Sequence, residues 1–259
     1  MINIDPIPAF KDNYIWTIHD LQHAVVVDPG DAAPVRAWLD KHRCRLAAIL
    51  CTHHHNDHVG GICELAQLYN VPVYGPANEN IPCITHPVQE GSLIEISKPA
   101  IRLEVLDIPG HTLGHVAYLG RMNPGEAESL FCGDTLFGCG CGRLFEGTAA
   151  QLHHSLQRLA RLPDETKVYC AHEYTEANIR FALACEPHNI LLAQRREHTQ
   201  AQRSAGKPSV PSTIALEKDT NPFLRCSAPE ILQILRVRGW NEANELGAFT
   251  ALREWRNHF

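Results

Sequence analysis

Short apolar runs rich in β-branched residues recur through the first two thirds of the chain and indicate β-strands. They lie at residues 14–18, 24–27, 46–51, 101–108, 115–119, 129–132 and 167–170. Helical spacing of apolar residues separates some of these runs, at residues 35–42, 59–69 and 149–162. Because consecutive strands precede the first helix, the pattern disfavours a simple doubly wound parallel sheet. It favours an α/β protein with a mixed sheet on each side of a core and helices outside.

The pattern changes near residue 174, beyond which helical spacing predominates. Helices are predicted at residues 176–185, 188–202 and 229–238, and residues 206–211 form a loop rich in glycine and proline. We therefore expect two domains, an α/β domain over residues 1–173 and a smaller all-helical domain over residues 174–259.

Composition and charge narrow the class of protein. The chain has 259 residues, of which 44% are hydrophobic, and its formal net charge is −6. An acidic chain binds the phosphates of nucleic acid poorly, and no apolar run approaches the roughly 18 residues of a membrane span. The N-terminus lacks the basic start and apolar stretch of a signal peptide. Ten scattered cysteines are typical of reduced, buried thiols, so we expect a cytoplasmic protein that binds neither nucleic acid nor membrane.

Four of the predicted strands run directly into potential metal ligands. The strand at 46–51 leads into T-H-H-H-N-D-H at residues 52–58, and the other three lead to His111, Asp134 and His172. If these strands lie side by side, their loops meet at one edge and these side chains converge. Imidazole and carboxylate suit zinc, iron or manganese, and one carboxylate can bridge two ions about 3.5–4 Å apart. A histidine run alone can be a solvated loop, but three further ligands at strand ends favour a metal site.

The segment at 52–58 resembles the H-x-H-x-D-H signature of the metallo-β-lactamase superfamily, and the chain as a whole is most similar to the glyoxalase II family. The similarity includes V-D-P-G, G-H-T-L-G-H, G-D-T-L-F, C-G-R-L-F-E-G and A-H-E-Y-T, which begin at residues 27, 110, 133, 141 and 171. It extends from the first strand to Phe259, and the last two segments are the more specific. The resemblance implies a four-layer αββα sandwich followed by an all-helical domain that binds substrate.

The resemblance also implies which residues hold two divalent metal ions. Zinc is expected, with iron and manganese as alternatives, and a hydroxide between the ions would attack the substrate. His54 is expected to be an ordinary loop residue, while Asp28 and His115 would orient the ligands. The implied ligands are His53, His55 and His111 for the first ion, Asp57, His58 and His172 for the second, and Asp134 between them, with Asp57 and Asp134 as the catalytic residues.

The family resemblance further implies a glutathione thioester as substrate. Hydrolysis of S-lactoylglutathione or another S-(2-hydroxyacyl)glutathione would release glutathione and a 2-hydroxy acid such as D-lactate, the second step of methylglyoxal detoxification. Phe145 stands where eukaryotic members have a tyrosine, and arginine replaces lysine at positions 143 and 256. We expect a monomer. The residues implied to bind substrate are Arg143, Phe145, Tyr174, Arg253 and Arg256.

Other functions remain open from the residues alone. Arg253 and Arg256, three residues apart, share one face of a helix, and by themselves such arginines are more often a solvated face. A glutathione persulfide dioxygenase of the same fold would use one iron held by two histidines and one aspartate, and a non-catalytic metal-binding module would keep the ligands without turnover. The helical domain and the acidic charge disfavour a β-lactamase or a nucleic-acid processing enzyme.

Overall fold

The computed structural model of the protein describes residues 1–241 and 244–259. Within them, six strands form a first mixed sheet, in which the order of the strands in space follows their order along the chain. The first three strands are antiparallel, and the third to the sixth are parallel. These strands are β1 (Asn3–Ala9), β2 (Asn13–His19), β3 (His23–Val27), β4 (Arg45–Leu50), β5 (Val73–Pro76) and β6 (His86–Val88).

A second six-stranded sheet lies over the first in the same described residues. Its strands are β7 (Leu93–Ser97), β8 (Ala100–Asp107), β9 (Val116–Gly120), β10 (Ser129–Gly133), β13 (Lys167–Cys170) and β14 (Ser212–Thr213). Its spatial order is β14-β13-β10-β9-β8-β7, with one parallel pair, β10 and β13. A separate short hairpin joins β11 (Leu136–Phe137) to β12 (Gly140–Cys141).

Helices cover the outer faces of the sheets and form most of the C-terminal third. They are α1 (Ala32–His42), α2 (Asn56–Val59), α3 (Ile62–Tyr69), α4 (Ala149–Leu159), α5 (Thr175–Cys185), α6 (Ile190–Ser204), α7 (Ile214–Thr220), α8 (Pro229–Val237) and α9 (Glu245–Asn257), with a 3₁₀ turn at Pro222–Leu224. No helix in the described part of the chain is both long and apolar enough to cross a membrane. The predicted αββα sandwich with a helical C-terminal region is confirmed.

The alternating direction of side chains along the inner strands explains why each sheet is covered on both faces. In β3, Val25 and Val27 face the second sheet and belong to the larger core, whereas Ala24 and Val26 belong to the cluster beneath α1 and α3. Successive side chains of a strand point to opposite faces. A strand that is apolar on both faces must therefore be covered by a sheet on one side and by helices on the other.

The predicted start of α4 is confirmed by its cap. Thr148 Oγ1 accepts the backbone N–H of Gln151 at 3.2 Å, and Gln151 Oε1 accepts the backbone N–H of Thr148 at 2.9 Å. This reciprocal arrangement satisfies two helix-end donors. The helix then buries Leu152, Leu156 and Leu159 in the main core.

One short strand departs from the all-helical expectation for the C-terminal region. Ser212 and Thr213 form β14, which pairs with β13 at the edge of the second sheet. Two residues are too few to show an alternating pattern in the sequence. The C-terminal region is thus joined to the sandwich by backbone hydrogen bonds.

The expectation of ten reduced cysteines is wrong for one pair. Cys63 in α3 and Cys83 in the loop between β5 and β6 form a disulfide, with their Cα atoms 5.5 Å apart. The remaining eight are free and buried. The bonded residues are 20 positions apart in the sequence, so only the fold makes them neighbours.

Candidate active site

The candidate ligands lie at the ends of strands from both sheets. The segment at 52–58 follows β4 of the first sheet, whereas His111, Asp134 and His172 follow β8, β10 and β13 of the second. The two sheets present these loops at one edge of the sandwich, so the side chains form a single, largely buried cluster.

Three histidines of this cluster surround a common point. His53, His55 and His111 each offer a ring nitrogen, and these atoms lie within 4.8 Å of one another. His55 Nδ1 is 3.1 Å from both His53 Nε2 and His111 Nε2. Three nitrogens at such separations can ligate one ion and leave a further position open.

A second group lies beside the first. Asp57 Oδ2 is 3.6 Å from His58 Nε2 and 3.5 Å from His172 Nε2. Asp134 lies between the groups: its Oδ1 is 3.5 Å from His58 Nε2 and 3.4 Å from His172 Nε2, whereas its Oδ2 is 3.4 Å from His111 Nε2. The two oxygens of Asp134 therefore face different groups.

Two buried atoms of the cluster have no hydrogen-bond partner among the described residues, His58 Nε2 and Asp134 Oδ1. An unsatisfied buried polar atom costs about 1–3 kcal/mol, and a cation between these atoms would satisfy both. The donors are imidazole and carboxylate without thiolate, a set that suits borderline divalent ions. The residues present thus fit divalent metal ions.

Asp28 and His115 support the cluster from buried positions. Asp28 Oδ1 accepts the backbone N–H of Thr52 at 2.7 Å, and its Oδ2 accepts the Thr52 hydroxyl at 2.7 Å and lies 3.1 Å from His58 Nδ1. His115 Nε2 accepts the backbone N–H of Asp134 at 3.1 Å. Contacts of this kind fix the tautomer and orientation of ligand side chains.

Two further supporting residues were not predicted from the sequence. Asp12 Oδ1 lies 2.9 Å from His172 Nδ1, and Asn13 Nδ2 donates to Asp57 Oδ2 at 3.0 Å. In the sequence both are ordinary turn-forming residues between two strands. They reach the cluster because Asn13 forms a β-bridge with His172, a contact between residues at opposite ends of the α/β region.

Burial and neighbouring charges shift the pKa values of the cluster residues in different directions. Burial lowers the pKa of His53 well below its usual value, and His58 lowers it further. Burial also disfavours charged His58, but the carboxylates of Asp134 and Asp28 together outweigh it and raise the pKa of His58 well above its usual value. Burial disfavours the Asp134 carboxylate too, yet His58 and His172 hold the pKa of Asp134 well below its usual range. The His53 ring is therefore neutral, whereas His58 carries a proton that an ion at this position would have to displace.

A glycine closes the cluster on the side of the β11–β12 hairpin. A Cβ atom on Gly142 would lie 2.0 Å from the carbonyl oxygen of Asp134 and 3.1 Å from His111 Nδ1. Only glycine permits so close an approach of the chain to these two ligands.

A cavity of about 500 Å³ opens onto His111 and Asp134. Its volume lies within the range of small-molecule sites. The five residues predicted to bind substrate all contribute to its lining, namely Arg143, Phe145, Tyr174, Arg253 and Arg256.

Arg253 is more deeply buried than a surface clamp would be, with 4% of its surface exposed. Its Nη1 donates to the carbonyl oxygens of Cys141 at 3.1 Å and Gly142 at 3.3 Å, and its Nη2 donates to Asn257 at 3.1 Å. Part of this guanidinium therefore holds the cavity wall. Its buried Nε has no partner among the described residues.

Arg256 is half-buried and lies three residues further along α9. Its Nη2 donates to Asn178 Oδ1 at 3.3 Å. Burial lowers the pKa of Arg256, and the neighbouring cations Arg253 and Arg143 lower it further. Three guanidinium groups so close together favour binding of an anion.

Two aromatic residues line the cavity beside the metal ligands. The ring of Phe145 is 63% exposed and lies edge-on to His55 and His111, with centroids 5.2 Å apart in both cases. The ring of Tyr174 stacks on His172, with centroids 4.6 Å apart. Burial raises the pKa of Tyr174, so its hydroxyl remains a hydrogen-bond donor.

Known proteins resemble the chain over its whole length. A sequence model of the metallo-β-lactamase superfamily matches residues 13–172, and one of the hydroxyacylglutathione hydrolase C-terminus matches residues 173–259. The hydroxyacylglutathione hydrolase of Nitrosomonas europaea is 51% identical over 260 residues, which cover 100% of this chain and 97% of that protein.

Two crystal structures show the same fold. The structure of ETHE1 from Myxococcus xanthus has a TM-score of 0.65 and 26% identity, and covers 99% of this chain and 98% of that one. The structure of TTHA1623 in a di-iron-bound form has a TM-score of 0.58 and 25% identity, and covers 86% of this chain and 100% of that one.

Fold and ligand cluster together place the protein in the metallo-β-lactamase superfamily. The C-terminal match and the identity along the whole chain then define the group within it. The chain belongs to the hydroxyacylglutathione hydrolase family of thiolester hydrolases.

Proposed function

We propose that the protein hydrolyses S-(2-hydroxyacyl)glutathione thioesters such as S-lactoylglutathione. The products would be glutathione and a 2-hydroxy acid, D-lactate in that case, which is the second step of methylglyoxal detoxification. The observation that carries the proposal is the single cavity shared by the His/Asp cluster and three arginines. Glutathione bears carboxylates that guanidinium groups bind well, while its thioester would lie at the cluster. The similarity to the hydroxyacylglutathione hydrolase of Nitrosomonas europaea supports this substrate.

The proposal includes two divalent metal ions per chain, with zinc first and iron or manganese as alternatives. The relative crystallised with two irons supports a dinuclear site, and His/Asp ligands accept all three metals. When bound, such ions supply Lewis acidity that acidifies water and polarises a carbonyl group. The residues that would hold them are His53, His55 and His111 on one side, Asp57, His58 and His172 on the other, and Asp134 between.

Asp57 and Asp134 have distinct catalytic roles in this proposal. The side chain of Asp57 is 43% exposed, against 10% for Asp134. Asp57 can therefore accept a hydrogen bond from the attacking water and direct it at the thioester carbon. Asp134 holds the two groups of ligands together. The departing thiolate has a conjugate acid with a pKa of about 8.5, so it leaves without a general acid, unlike an amide nitrogen.

The cavity lining would bind the glutathione portion. Arg143 and Arg256 would pair with its carboxylates, and Arg253 would add a third positive charge to the lining while it supports the wall. Tyr174 would donate its hydroxyl. Phe145 has no hydroxyl and would contribute only apolar surface and backbone contacts.

We extend the proposal to a cytoplasmic monomer without nucleic-acid or membrane partners. The net charge of −6 supports the first exclusion, and the eight free, buried cysteines support a reducing compartment. Light scattering should then report a mass near 28.9 kDa.

The proposal is tested by metal analysis combined with thiol release from S-lactoylglutathione. We expect close to two metals per chain, and activity that disappears on chelation and in Asp134→Ala. The exposed Asp164 side chain pairs with Lys218 at 2.8 Å and lines no part of the cavity as described, so Asp164→Ala should retain activity. Metal-loaded protein that releases no thiol, or that consumes oxygen with glutathione persulfide, would contradict the proposal.

A further inference from the structure

His54 stands between two proposed ligands but belongs to none of the ligand groups formed by the described residues. It differs from the expected ordinary loop residue because both of its ring nitrogens face carboxylates. Nδ1 lies 2.7 Å from Glu79 Oε2, and Nε2 lies 3.1 Å from Glu146 Oε1. Those two carboxylates come from different loops, so His54 connects three segments of the chain.

Glu79 is the buried member of this arrangement. It lies between β5 and β6, and its side chain is 2% exposed. Its Oε2 also accepts the backbone N–H of His54 at 2.5 Å, while its Oε1 accepts the Thr112 hydroxyl and the backbone N–H of Gly114 at 3.1 Å. One carboxylate thus joins the segment at 52–58 to the segment that carries His111.

Glu146 joins a third segment to the same point. Its Oε2 accepts the backbone N–H of Leu113 at 3.0 Å, while its Oε1 faces His54. Glu146 directly follows Phe145, which lines the cavity. The loop proposed to bind substrate is therefore tied both to the His54 segment and to the His111 segment.

From this geometry we propose that Glu79 is a positioning residue for the first metal-ligand group, and that Glu146 extends the same alignment to the substrate loop. The inference rests on the proposed dinuclear function. His53, His55 and His111 all lie on loops outside regular helices and strands, so the separation of these loops decides whether three nitrogens meet at one ion. Glu79 is the side chain that spans that separation.

The effect of Glu79 should be confined to one ion. The second ligand group is oriented by other residues, Asp12 at His172 and Asn13 at Asp57. The loop of Glu79 is itself held to α3 by the disulfide at Cys83, so its carboxylate is presented from an anchored segment.

The substitution Glu79→Gln tests the proposal with Zn²⁺ as the probe. In the unmodified protein the surrounding donors share two carboxylate oxygens of Glu79, whereas glutamine has only one carbonyl oxygen to accept them. Its NH₂ group would face the remaining donors without accepting a hydrogen bond from them. Titration of metal-free protein against a competing chelator should show one of the two zinc ions bound about 10- to 100-fold more weakly, the range typical of groups that orient ligands. The other ion should bind as in the unmodified protein.

Glu186→Gln is the matched control for burial. The Glu186 side chain is 4% exposed and pairs with Arg225 at 2.8 and 2.9 Å, away from the cluster. This variant should lose stability but keep both zinc affinities. Unchanged zinc affinities in Glu79→Gln would overturn the proposal. An equal loss of affinity for both zinc ions, reproduced in Glu186→Gln, would also overturn it.

Glu146→Gln tests the second half of the proposal. It should raise the KM for S-lactoylglutathione several-fold and leave both zinc affinities unchanged, because Glu146 belongs to the substrate loop and its carboxylate contacts Leu113 and His54, neither of which is a proposed ligand. A change confined to kcat would contradict that role. The zinc readout separates this inference from the proposed function, since unmodified protein that binds two zinc ions without releasing thiol would contradict the function alone.

Discussion

Replacement of Asp28 by asparagine tests how the metal centre is held. Asp28 follows β3 with φ at +55° and is 5% exposed. Asparagine has the same shape and adopts positive φ more readily than most residues. Asp28→Asn therefore changes the hydrogen-bonding chemistry at this position and little else.

The hydrogen bonds determine the orientation of the new amide. The backbone N–H of Thr52 donates to Oδ1, so the amide oxygen must take that position and the NH₂ group must replace Oδ2. His58 Nδ1, 3.1 Å from Oδ2, must then accept a hydrogen bond from this NH₂ group. The His58 proton moves to Nε2, the nitrogen that faces the metal position. The Thr52 hydroxyl is likewise reversed, and it must donate to His53 Nδ1, 3.0 Å away.

Both ions should therefore be affected, because His53 and His58 belong to different ligand groups. Loss of an orienting partner typically costs 10- to 100-fold in metal affinity, or about 1.4–2.8 kcal/mol for each ion. We expect losses of this size for both ions. The free energy of unfolding of the metal-free protein should change less, because the backbone of residue 28 is undisturbed.

Zinc competition titration and urea unfolding of the metal-free protein measure the two quantities separately. Asp5→Asn is the control, because Asp5 Oδ2 pairs with His19 Nε2 at 3.0 Å in the same kind of contact, remote from the cluster. It should leave both zinc affinities unchanged. If Asp28→Asn also binds both ions with unmodified affinity, the assigned tautomers of His53 and His58 are wrong.

Three further predictions follow from the same structure. Because Asp134 and Asp28 together outweigh burial and raise the pKa of His58, an ion at that group must displace a proton, and zinc should bind more weakly at pH 6 than at pH 8. Calorimetry in buffers of different ionisation enthalpy that detects no proton release would refute this. Arg256→Ala should raise the KM for a glutathione thioester about 10-fold or more with little change in kcat, since a charge-assisted hydrogen bond contributes about 1.5–3 kcal/mol. Arg102→Ala, on the exposed face of β8, is the control. A loss confined to kcat would count against a role of Arg256 in substrate binding. Leu156→Ala should lower the free energy of unfolding by about 2–5 kcal/mol in urea, because Leu156 is fully buried; a change below about 1 kcal/mol would show that the core beneath α4 is loosely packed.

Most strands inside the two sheets could be predicted from the sequence, whereas those at the edges could not. The exception is β5, an inner strand of the first sheet whose four residues include Gly75 and Pro76. The predicted runs correspond to β2, β3, β4, β8, β9, β10 and β13, although their ends differ by one residue in several cases. Among the unpredicted strands, β1, β6, β7 and β14 are outermost in their sheets. β1 contains Pro6 and Pro8, which lack a hydrogen-bond donor and are tolerated at an edge. An edge strand needs no continuous apolar run, so it lacks the signal that a central strand carries.

Metal-ligand candidates could be chosen from the sequence because their chemistry is local. The histidines and aspartates directly follow strands whose apolar pattern is clear, and the segment at 52–58 contains four of the seven ligands. The groups that orient them lack such a pattern. Asp12, Asn13 and Glu79 are ordinary polar loop residues in the sequence, and only their hydrogen bonds to distant segments distinguish them.

The sequence by itself determined the periodicity of the main helices and strands, the start of α4 and the chemical type of the candidate metal ligands. These features depend on residues within a few positions of one another. Tertiary structure alone decided that Arg253 supports the cavity wall, that Cys63 meets Cys83, and that Glu79 joins two ligand loops. Each of these contacts joins residues 20 or more positions apart, and such residues become neighbours only when the sheets and helices pack together.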